Sequence, residues 1–214
     1  MLDQESFRDQ ALVLAEQDAS LAAIVQDYGL PSFWHRPPTF ATLALLIVEQ
    51  QVSLASAKAV FDRLTLALGQ VTPATLLRAE QDVLVGVGLT RQKMRYLRLL
   101  AAASAEGTFD QVALLDQTDD LARRALLALT GVGPWTADAY LLSALRRPDI
   151  WPVGDRALQV GVGETLEMPE PPTALELEVI GERWRPSRSV VARLIWHAYL
   201  SRRGRTEPDV IGLD

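Results

Sequence analysis

The chain has 214 residues, of which 49% are hydrophobic, so it can bury a core in one domain or in two small lobes. No run of about 18 apolar residues is present, which excludes a helical membrane span, and the acidic, polar start is unlike a secretory signal peptide. The absence of cysteine excludes disulfides, thiolate catalysis and cysteine-ligated metals, and two histidines are too few for a histidine-rich metal site. We expect a soluble intracellular protein.

The formal net charge of −6 argues against a nucleic-acid partner, because phosphate binding normally rests on lysine and arginine. The charge is unevenly distributed, however. Residues 91–98 hold four basic side chains and residues 183–205 hold seven arginines, and neither segment contains an acidic residue. Two interpretations stay open for these segments: solvated helix faces, or local patches that face phosphate on an otherwise acidic protein.

Hydrophobic periodicity is helical along almost the whole chain. It predicts helical structure near 3–26 and then helices that begin after four capping residues, Thr39, Ser53, Thr90 and Thr118. Further helices are predicted near 134–146, 155–162, 173–182 and 187–200. No alternating strand pattern is present, so the predicted fold class is all-α.

The segment LTGVGPWTADAY, residues 129–140, predicts a helix, a tight turn and a second helix. Gly131 and Gly133 allow backbone angles that other residues resist, and Pro134 suits the first position of a helix. The unpaired N–H groups at the start of the second helix attract anions. A dinucleotide-binding turn is the competing interpretation. It fails because no strand precedes the segment and its third glycine is missing.

This segment, followed 22 residues after Gly133 by Asp155 in WPVGDRAL, resembles the helix–hairpin–helix Gly/Pro…Asp superfamily of DNA glycosylases. FATLALLIVEQQVSLASAKAVFDRL at 40–64 and RWRPSRSVVARLIWHAYL at 183–200 are similar to its alkylbase branch, the 3-methyladenine DNA glycosylase II type. The resemblance extends over residues 30–200.

The resemblance implies two helical lobes with a cleft between them, and no N-terminal β-domain. Residues 1–35 with 148–214 are expected to form one discontinuous lobe that carries the catalytic aspartate. Residues 36–147 are expected to form the other, which ends in the helix–hairpin–helix motif.

Asp155 matches the essential aspartate of the family, which the resemblance places at the mouth of the cleft. A carboxylate there can stabilise a developing oxocarbenium ion at the sugar and orient or activate the attacking water. Asp155 is also a good N-cap for the helix that begins at RALQV, and the two roles are compatible.

The resemblance further implies a base pocket that includes Trp135, Trp196, Ala139 and Trp34. Trp135 stands where bifunctional relatives carry a nucleophilic lysine. Since an indole cannot form a Schiff base, the implied enzyme has no lyase activity. Ala139 stands where the family often has a tyrosine, with Tyr140 one place later, which predicts a wider pocket. Core packing is the alternative for Trp135 and Trp196, and an aromatic anchor for a surface loop is the alternative for Trp34.

The residues implied to contact DNA are Gly131, Gly133, Pro134, Thr136 and Gln51. Gln51 occupies the position that fills the gap left by a flipped nucleotide, and a polar residue at a helix end is the alternative. Gln50 and Ser53 are interpreted as structural. For Arg156 and Arg193 we favour salt bridges over contacts with phosphate.

The hairpin of this family commonly binds a monovalent cation through backbone carbonyls, and the matching positions are Leu127, Leu129 and Val132. The resemblance therefore implies a structural Na⁺ or K⁺ ion there. It implies no cofactor for catalysis and no iron–sulfur cluster.

The implied function is removal of alkylated, cationic bases such as 3-methyladenine and 7-methylguanine from damaged double-stranded DNA. The implied enzyme is a monomer that acts in the cytoplasm, on the bacterial nucleoid, and associates with no membrane. The alternative is a non-catalytic helix–hairpin–helix DNA-binding module, which would not require Asp155, Trp135 and Trp196 together. Glycosylases for adenine or damaged pyrimidines usually carry four C-terminal cysteines or a lysine at position 135, and this chain has neither.

Overall fold

The computed structural model describes residues 1–205, and all regular structure within that range is helical. The predicted all-α class is therefore confirmed, and no β-domain is present in the described part of the chain. None of its helices is long and apolar enough to span a bilayer. The chain divides into two compact units. The hairpin unit is Arg36–Leu145, and the terminal unit is Met1–His35 together with the described residues from Arg146 onward.

The hairpin unit is built around one helix that is buried on nearly all sides. Its helices are α3 Phe40–Glu49, α4 Leu54–Leu68, α5 Pro73–Arg78, α6 Gln81–Gly86, α7 Arg91–Ala105, α8 Asp119–Leu127 and α9 Pro134–Ser143, with a 3-10 turn at Ala113–Asp116. The α3 sequence, FATLALLIVE, is apolar around almost its whole circumference, which is typical of a fully buried helix. It packs against α4, α7 and α9, and so forms the core of this unit.

The four predicted capping residues all cap helices in the structure. Thr39, Ser53, Thr90 and Thr118 each accept a hydrogen bond from the backbone N–H three residues later, which satisfies an otherwise unpaired donor. Helices α5 and α6 were not predicted, because six residues are too few to show a helical period. Proline at the first position of α5, after Thr72, is the sequence signal that could have revealed it.

The terminal unit combines helices from both ends of the described chain. They are α1 Gln4–Gln17, α2 Ala19–Tyr28, α10 Arg156–Thr165, α11 Ala174–Gly181 and α12 Arg188–Ser201, with a 3-10 turn at Glu182–Trp184. Helix α12 packs against α1, α2 and α10, and its residues from Arg188 to Ile195 are buried. The helical structure predicted near 3–26 is interrupted at Asp18, which is extended and caps α2. The Trp184 indole donates to its carboxylate at 2.9 Å.

The basic segment 183–205 is ion-paired with acids outside it, of which Asp18, Asp149 and Glu164 are distant in sequence. Its ion pairs join Arg183 to Asp18, Arg185 and Arg188 to Asp149 and Glu182, and Arg202 and Arg203 to Glu164. All of these pairs lie within the terminal unit. Neither sequence-based interpretation therefore describes the whole segment, because most of its guanidinium groups are paired with carboxylates, while the Arg183 and Arg185 side chains stay about half-exposed.

Candidate active site and hairpin

Asp155 is the N-cap of α10, as predicted, and its Oδ1 atom accepts the Leu158 N–H at 2.8 Å. The same oxygen accepts a second hydrogen bond, at 3.1 Å, from Nε1 of the Trp196 indole on α12. The side chain is half-buried. The carboxylate is thus fixed by two donors from two helices, and the Trp196 contact was not foreseen from the sequence.

The close packing of α10 and α12 brings Trp196 to Asp155. A methyl group built at Gly161 on α10 would overlap the side chain of Ile195 on α12, so glycine permits this approach. The Trp196 ring also lies near the Trp34 ring, with a centroid distance of 6.1 Å and an interplanar angle of 39°. The terminal unit therefore brings together three of the predicted site residues: Asp155, Trp196 and Trp34.

Arg193 anchors the loop that carries Trp34. Its side chain is 1% exposed, and its guanidinium carbon lies 4.4 Å from the centroid of Trp34 and 4.8 Å from that of Phe33. It also donates from Nη1 to the Trp34 carbonyl at 2.7 Å. Burial keeps this arginine away from a phosphate in solvent, whereas Arg156 is exposed and contacts Gln159. An arginine within the apolar run VVARLIW is the sequence signal for such a buried anchor.

The hairpin between α8 and α9 depends on a glycine. Gly131 has φ of +94°, a region that L side chains rarely adopt, and a methyl group there would overlap the Tyr96 ring of α7. Gly133 is the N-cap of α9 and Pro134 is its first residue, as predicted. No side chain caps α9, so the hairpin presents the backbone N–H groups of its first turn.

Helix α9 is buried except along one side. Trp135 and Ala139 are both half-buried and, being four residues apart, lie on the same side of the helix. Thr136 and Tyr140 are buried, and burial raises the pKa of the Tyr140 hydroxyl. Tyr140 therefore does not supply an aromatic ring on the side shared by Trp135 and Ala139.

The two glutamines at the end of α3 have different environments. Gln50 donates from Nε2 to the Gly131 carbonyl at 2.8 Å and to Oγ1 of Thr136 at 2.9 Å. Gln51 is exposed, and its φ is 58°. The structure thus gives Gln50 a contact with the hairpin and leaves the Gln51 side chain accessible to solvent. Because Thr136 is engaged internally, any contact it makes with DNA comes from its backbone.

The predicted cation ligands lie at the C-terminal end of α8. This helix ends at Leu127, and the Leu129 carbonyl accepts the Val132 N–H at 3.1 Å. The carbonyl groups at a helix C-terminus carry partial negative charge, so a donor set of Leu127, Leu129 and Val132 carbonyls suits a hard monovalent cation. Residues 1–205 contain no group of three acidic or histidine side chains that could hold a metal ion.

The profile of one family, described as "HhH-GPD superfamily base excision DNA repair protein", matches residues 45–186 of this chain. A Bacillus subtilis protein named DNA-3-methyladenine glycosylase is 26% identical over 172 residues, which cover 75% of this chain and 57% of that protein.

Solved structures are similar over most of the chain. The crystal structure of a DNA-3-methyladenine glycosidase from Bacillus halodurans has 27% identity and a TM-score of 0.75, and the match covers 92% of each chain. The Schizosaccharomyces pombe 3-methyladenine DNA glycosylase in complex with abasic DNA has 20% identity and a TM-score of 0.79. That match covers 88% of this chain and 95% of the other, and it shows a shared fold.

The chain is shorter than several of its curated relatives. It spans 57% of the Bacillus subtilis glycosylase, 65% of a second protein from that organism and 32% of a relative from Mycobacterium tuberculosis.

Proposed function

Because the chain belongs to the HhH-GPD superfamily of base excision DNA repair proteins, we propose that it is a monofunctional DNA glycosylase for alkylated, cationic bases in duplex DNA. The observation that carries the proposal is the Asp155 carboxylate, held by the Leu158 N–H and the Trp196 indole beside the Trp34 ring. Relatives named as 3-methyladenine glycosylases support the substrate class. We propose that the monomer is the active form.

In the proposed reaction, water attacks C1′ of the damaged nucleotide as the bond from C1′ to the base nitrogen breaks. The electron pair of that bond goes to the base, which leaves neutral if it was cationic. The Asp155 carboxylate stabilises the positive charge that develops on the sugar and accepts a proton from the attacking water. The two hydrogen bonds to Oδ1 fix the carboxylate before the substrate arrives, so it needs little reorganisation.

Selection of a cationic base follows from its chemistry and from the aromatic rings. Alkylation at a ring nitrogen such as N3 or N7 of a purine gives a base that leaves without a strong general acid. Trp196 offers a ring face to such a base, and so does Trp34 on the face that Arg193 does not cover. A desolvated cation–π contact contributes about 0.5–2 kcal/mol. The family resemblance adds Trp135 as a further aromatic contact and Ala139 as a small residue that accepts several alkylated bases.

Strand cleavage through a Schiff base is not part of the proposal. Trp135 has no amine. The amine of Lys93 on α7 is an alternative nucleophile, but it donates from Nζ to the Val48 carbonyl at 2.7 Å, and burial lowers the pKa of its ammonium group. Lys93 is thus engaged in holding the end of α3. We expect the product to be an intact strand that carries an abasic site.

DNA binding is assigned to the hairpin and to the turn after α3. The backbone N–H groups at the start of α9, which no side chain caps, are proposed to bind backbone phosphates, and the helix dipole favours the negative charge. Gln51, exposed in its turn, is proposed to fill the gap left by the extruded nucleotide. A Na⁺ or K⁺ ion held by the carbonyls of Leu127, Leu129 and Val132 would add positive charge beside the phosphates.

A panel of duplexes, each with one lesion, tests the proposal under identical conditions. We expect release of 3-methyladenine and 7-methylguanine, with slower release of hypoxanthine and uracil, because neutral bases lack both the activated leaving group and the cation–π contact. Faster removal of a neutral lesion would overturn the assigned substrate class. Release of no base at all would favour a non-catalytic DNA-binding module.

Borohydride reduction during turnover tests the absence of lyase activity. No covalent complex of enzyme and DNA should accumulate. If a complex is trapped, Lys93→Met in a parallel reaction shows whether that amine is responsible.

A further inference from the structure

Gln50 makes the side-chain contact between the turn that carries Gln51 and the helix–hairpin–helix. Its Nε2 atom donates two hydrogen bonds, to the Gly131 carbonyl in the hairpin and to Oγ1 of Thr136 in the first turn of α9. These partners are 81 and 86 residues away in sequence. The primary amide has two N–H donors, so both bonds can form at once.

The rest of the turn is fixed to other parts of the hairpin unit. Glu49 is buried, and its carboxylate accepts two hydrogen bonds from Arg36, at 2.7 and 2.9 Å. The Val48 carbonyl accepts from Lys93. Neither of these contacts reaches the hairpin. Helix α3 packs against α9, and the Gln50 amide adds hydrogen bonds from the turn itself to Gly131 and Thr136.

The backbone at Gln51 has an unfavourable conformation that neighbouring contacts must stabilise. Its φ of 58° lies in the left-handed region, which residues other than glycine adopt at an energetic cost. Contacts around the turn must therefore hold the backbone there. The neighbouring Gln50 is anchored, whereas the Gln51 side chain is exposed. The turn is therefore organised so that one glutamine fixes the backbone and the next is presented to solvent.

We propose that Gln50 is a positioning residue that couples phosphate binding at the hairpin to nucleotide extrusion by Gln51. The inference rests on the proposed function, since it assumes that the hairpin binds DNA and that Gln51 enters the duplex. With the two hydrogen bonds in place, Gln51 has a fixed position relative to the phosphates that the hairpin holds. Without them, the hairpin still binds DNA, but Gln51 is no longer held in register with the target nucleotide.

The test uses a duplex with 2-aminopurine beside a 7-methylguanine nucleotide that carries fluorine at the 2′ position of its sugar. The fluorine makes the glycosidic bond resist hydrolysis. Gln50→Met keeps the length of the side chain and removes both donors. At saturating protein we expect the increase in 2-aminopurine fluorescence to fall at least threefold. The Kd for the same duplex should change by less than about twofold. Single-turnover excision of 7-methylguanine should fall at least about tenfold, because both hydrogen bonds of the amide are lost.

Variants of Thr136 provide an independent route if Gln50→Met fails to fold. Thr136→Val is nearly isosteric and removes the acceptor oxygen, whereas Thr136→Ser retains it. We expect Thr136→Val to lose part of the fluorescence increase that Gln50→Met loses, because the bond to the Gly131 carbonyl remains, and Thr136→Ser to retain most of it. Gln26→Met, the same substitution on the exposed side of α2, controls for effects of the methionine.

The outcomes separate the coupling from the proposed function. Equal losses in DNA binding and excision would show that Gln50 only maintains the hairpin, and unchanged fluorescence in both Gln50→Met and Thr136→Val would also overturn the coupling. If the wild-type protein releases no base but its fluorescence increase depends on Gln50, the coupling stands and the glycosylase assignment fails.

Discussion

The two hydrogen bonds at Oδ1 of Asp155 come from groups with different roles. The Leu158 N–H belongs to the first turn of α10, so this bond caps the helix. The Trp196 indole belongs to α12, so the second bond sets the direction of the carboxylate relative to the aromatic pair. Removing the negative charge and removing the indole donor should therefore have separable effects.

Asp155→Asn tests the charge. The asparagine Oδ1 can still accept both hydrogen bonds, so we expect the thermal midpoint and the affinity for DNA to stay close to wild type. The excision rate should fall about a hundredfold or more, because an electrostatic stabiliser of the transition state is lost. Single-turnover rates with 7-methylguanine duplexes measure this effect. Near-normal excision by the variant would remove Asp155 from the proposed mechanism.

Trp196→Phe tests the donor. Phenylalanine keeps an aromatic ring but cannot donate to Asp155. Of the two hydrogen bonds described at Oδ1, only the one from the Leu158 N–H then remains. We expect kcat to fall about fivefold to twelvefold, in line with the loss of about 1–1.5 kcal/mol for one hydrogen bond. A change in KM with kcat unchanged would indicate that Trp196 only binds the base.

Single residues divide clearly into those that the sequence could predict and those that it could not. The caps at Thr39, Ser53, Thr90 and Asp155 depend on neighbours three residues away, so they are legible in the sequence. The contacts of Gln50 and Trp196 connect positions far apart in the chain. No local pattern specifies such pairs.

The helix–hairpin–helix also combines features that the local sequence predicts with one that only the tertiary structure explains. Its two glycines, its proline and the helix that follows were predicted from local sequence, but the need for a glycine at 131 also has a tertiary cause. Tyr96 of α7 occupies the space where a side chain would project. The sequence indicates the turn, whereas the structure shows which of its glycines is required.

Gly131→Ala and Gly133→Ala form a matched pair. Alanine at 131 requires a positive φ and overlaps Tyr96, whereas alanine at 133, where φ is −91°, meets no atom within 4 Å. We expect Gly131→Ala to lower the free energy of unfolding by about 2–3 kcal/mol, or roughly 5–10 °C in Tm, while Gly133→Ala changes it by less than about 1 kcal/mol. Thermal unfolding measures both. Equal destabilisation would contradict the role assigned to Tyr96.

The ion pairs between Glu164 of α10 and the two arginines that follow α12 predict acid sensitivity. Hydrogen bonds from Arg203 and Arg202 lower the pKa of Glu164 below its ordinary value of 4.5. The unfolded chain therefore binds more protons between these two pKa values. The stabilising contribution is complete above about pH 5 and is lost as the pH falls through the folded-state pKa. Because the groups are about a third exposed, we expect a contribution of less than about 1 kcal/mol.

Glu164→Gln measures that contribution. The difference in Tm between wild type and variant should be largest near pH 7 and should approach zero near pH 3. Glu178→Gln, the same substitution on the exposed side of α11, controls for the loss of one carboxylate. A difference that grows as the pH falls would contradict the assignment.

For the whole molecule, the all-α class, the hairpin and the aspartate were predictable because each leaves a local pattern. The ion pairing of the charged side chains was not predictable from the sequence. Segment 183–205 is strongly basic in sequence, yet Asp18, Asp149, Glu164 and Glu182 neutralise most of it in the structure. The number of arginines in a segment therefore overestimates the number available to a phosphate.

The ion pairing of these arginines predicts how strongly DNA binding should depend on salt concentration. With the ion-paired arginines unavailable, we expect fewer than about five phosphate contacts and a slope of log K against log salt concentration shallower than about −4.5. Fluorescence anisotropy across a series of KCl concentrations measures the slope. A slope of about −7 or steeper would show that the ion pairs open to bind DNA.

The internal neutralisation also bears on how such a protein would search a genome. Extended sliding depends on a broad positive surface that keeps a protein near the DNA between encounters. An acidic protein that makes few phosphate contacts dissociates quickly and samples scattered sites through short, independent visits. Retention then depends on the state of the base pair. An undamaged pair that resists opening releases the protein at once, whereas a weakened pair detains it long enough for chemistry.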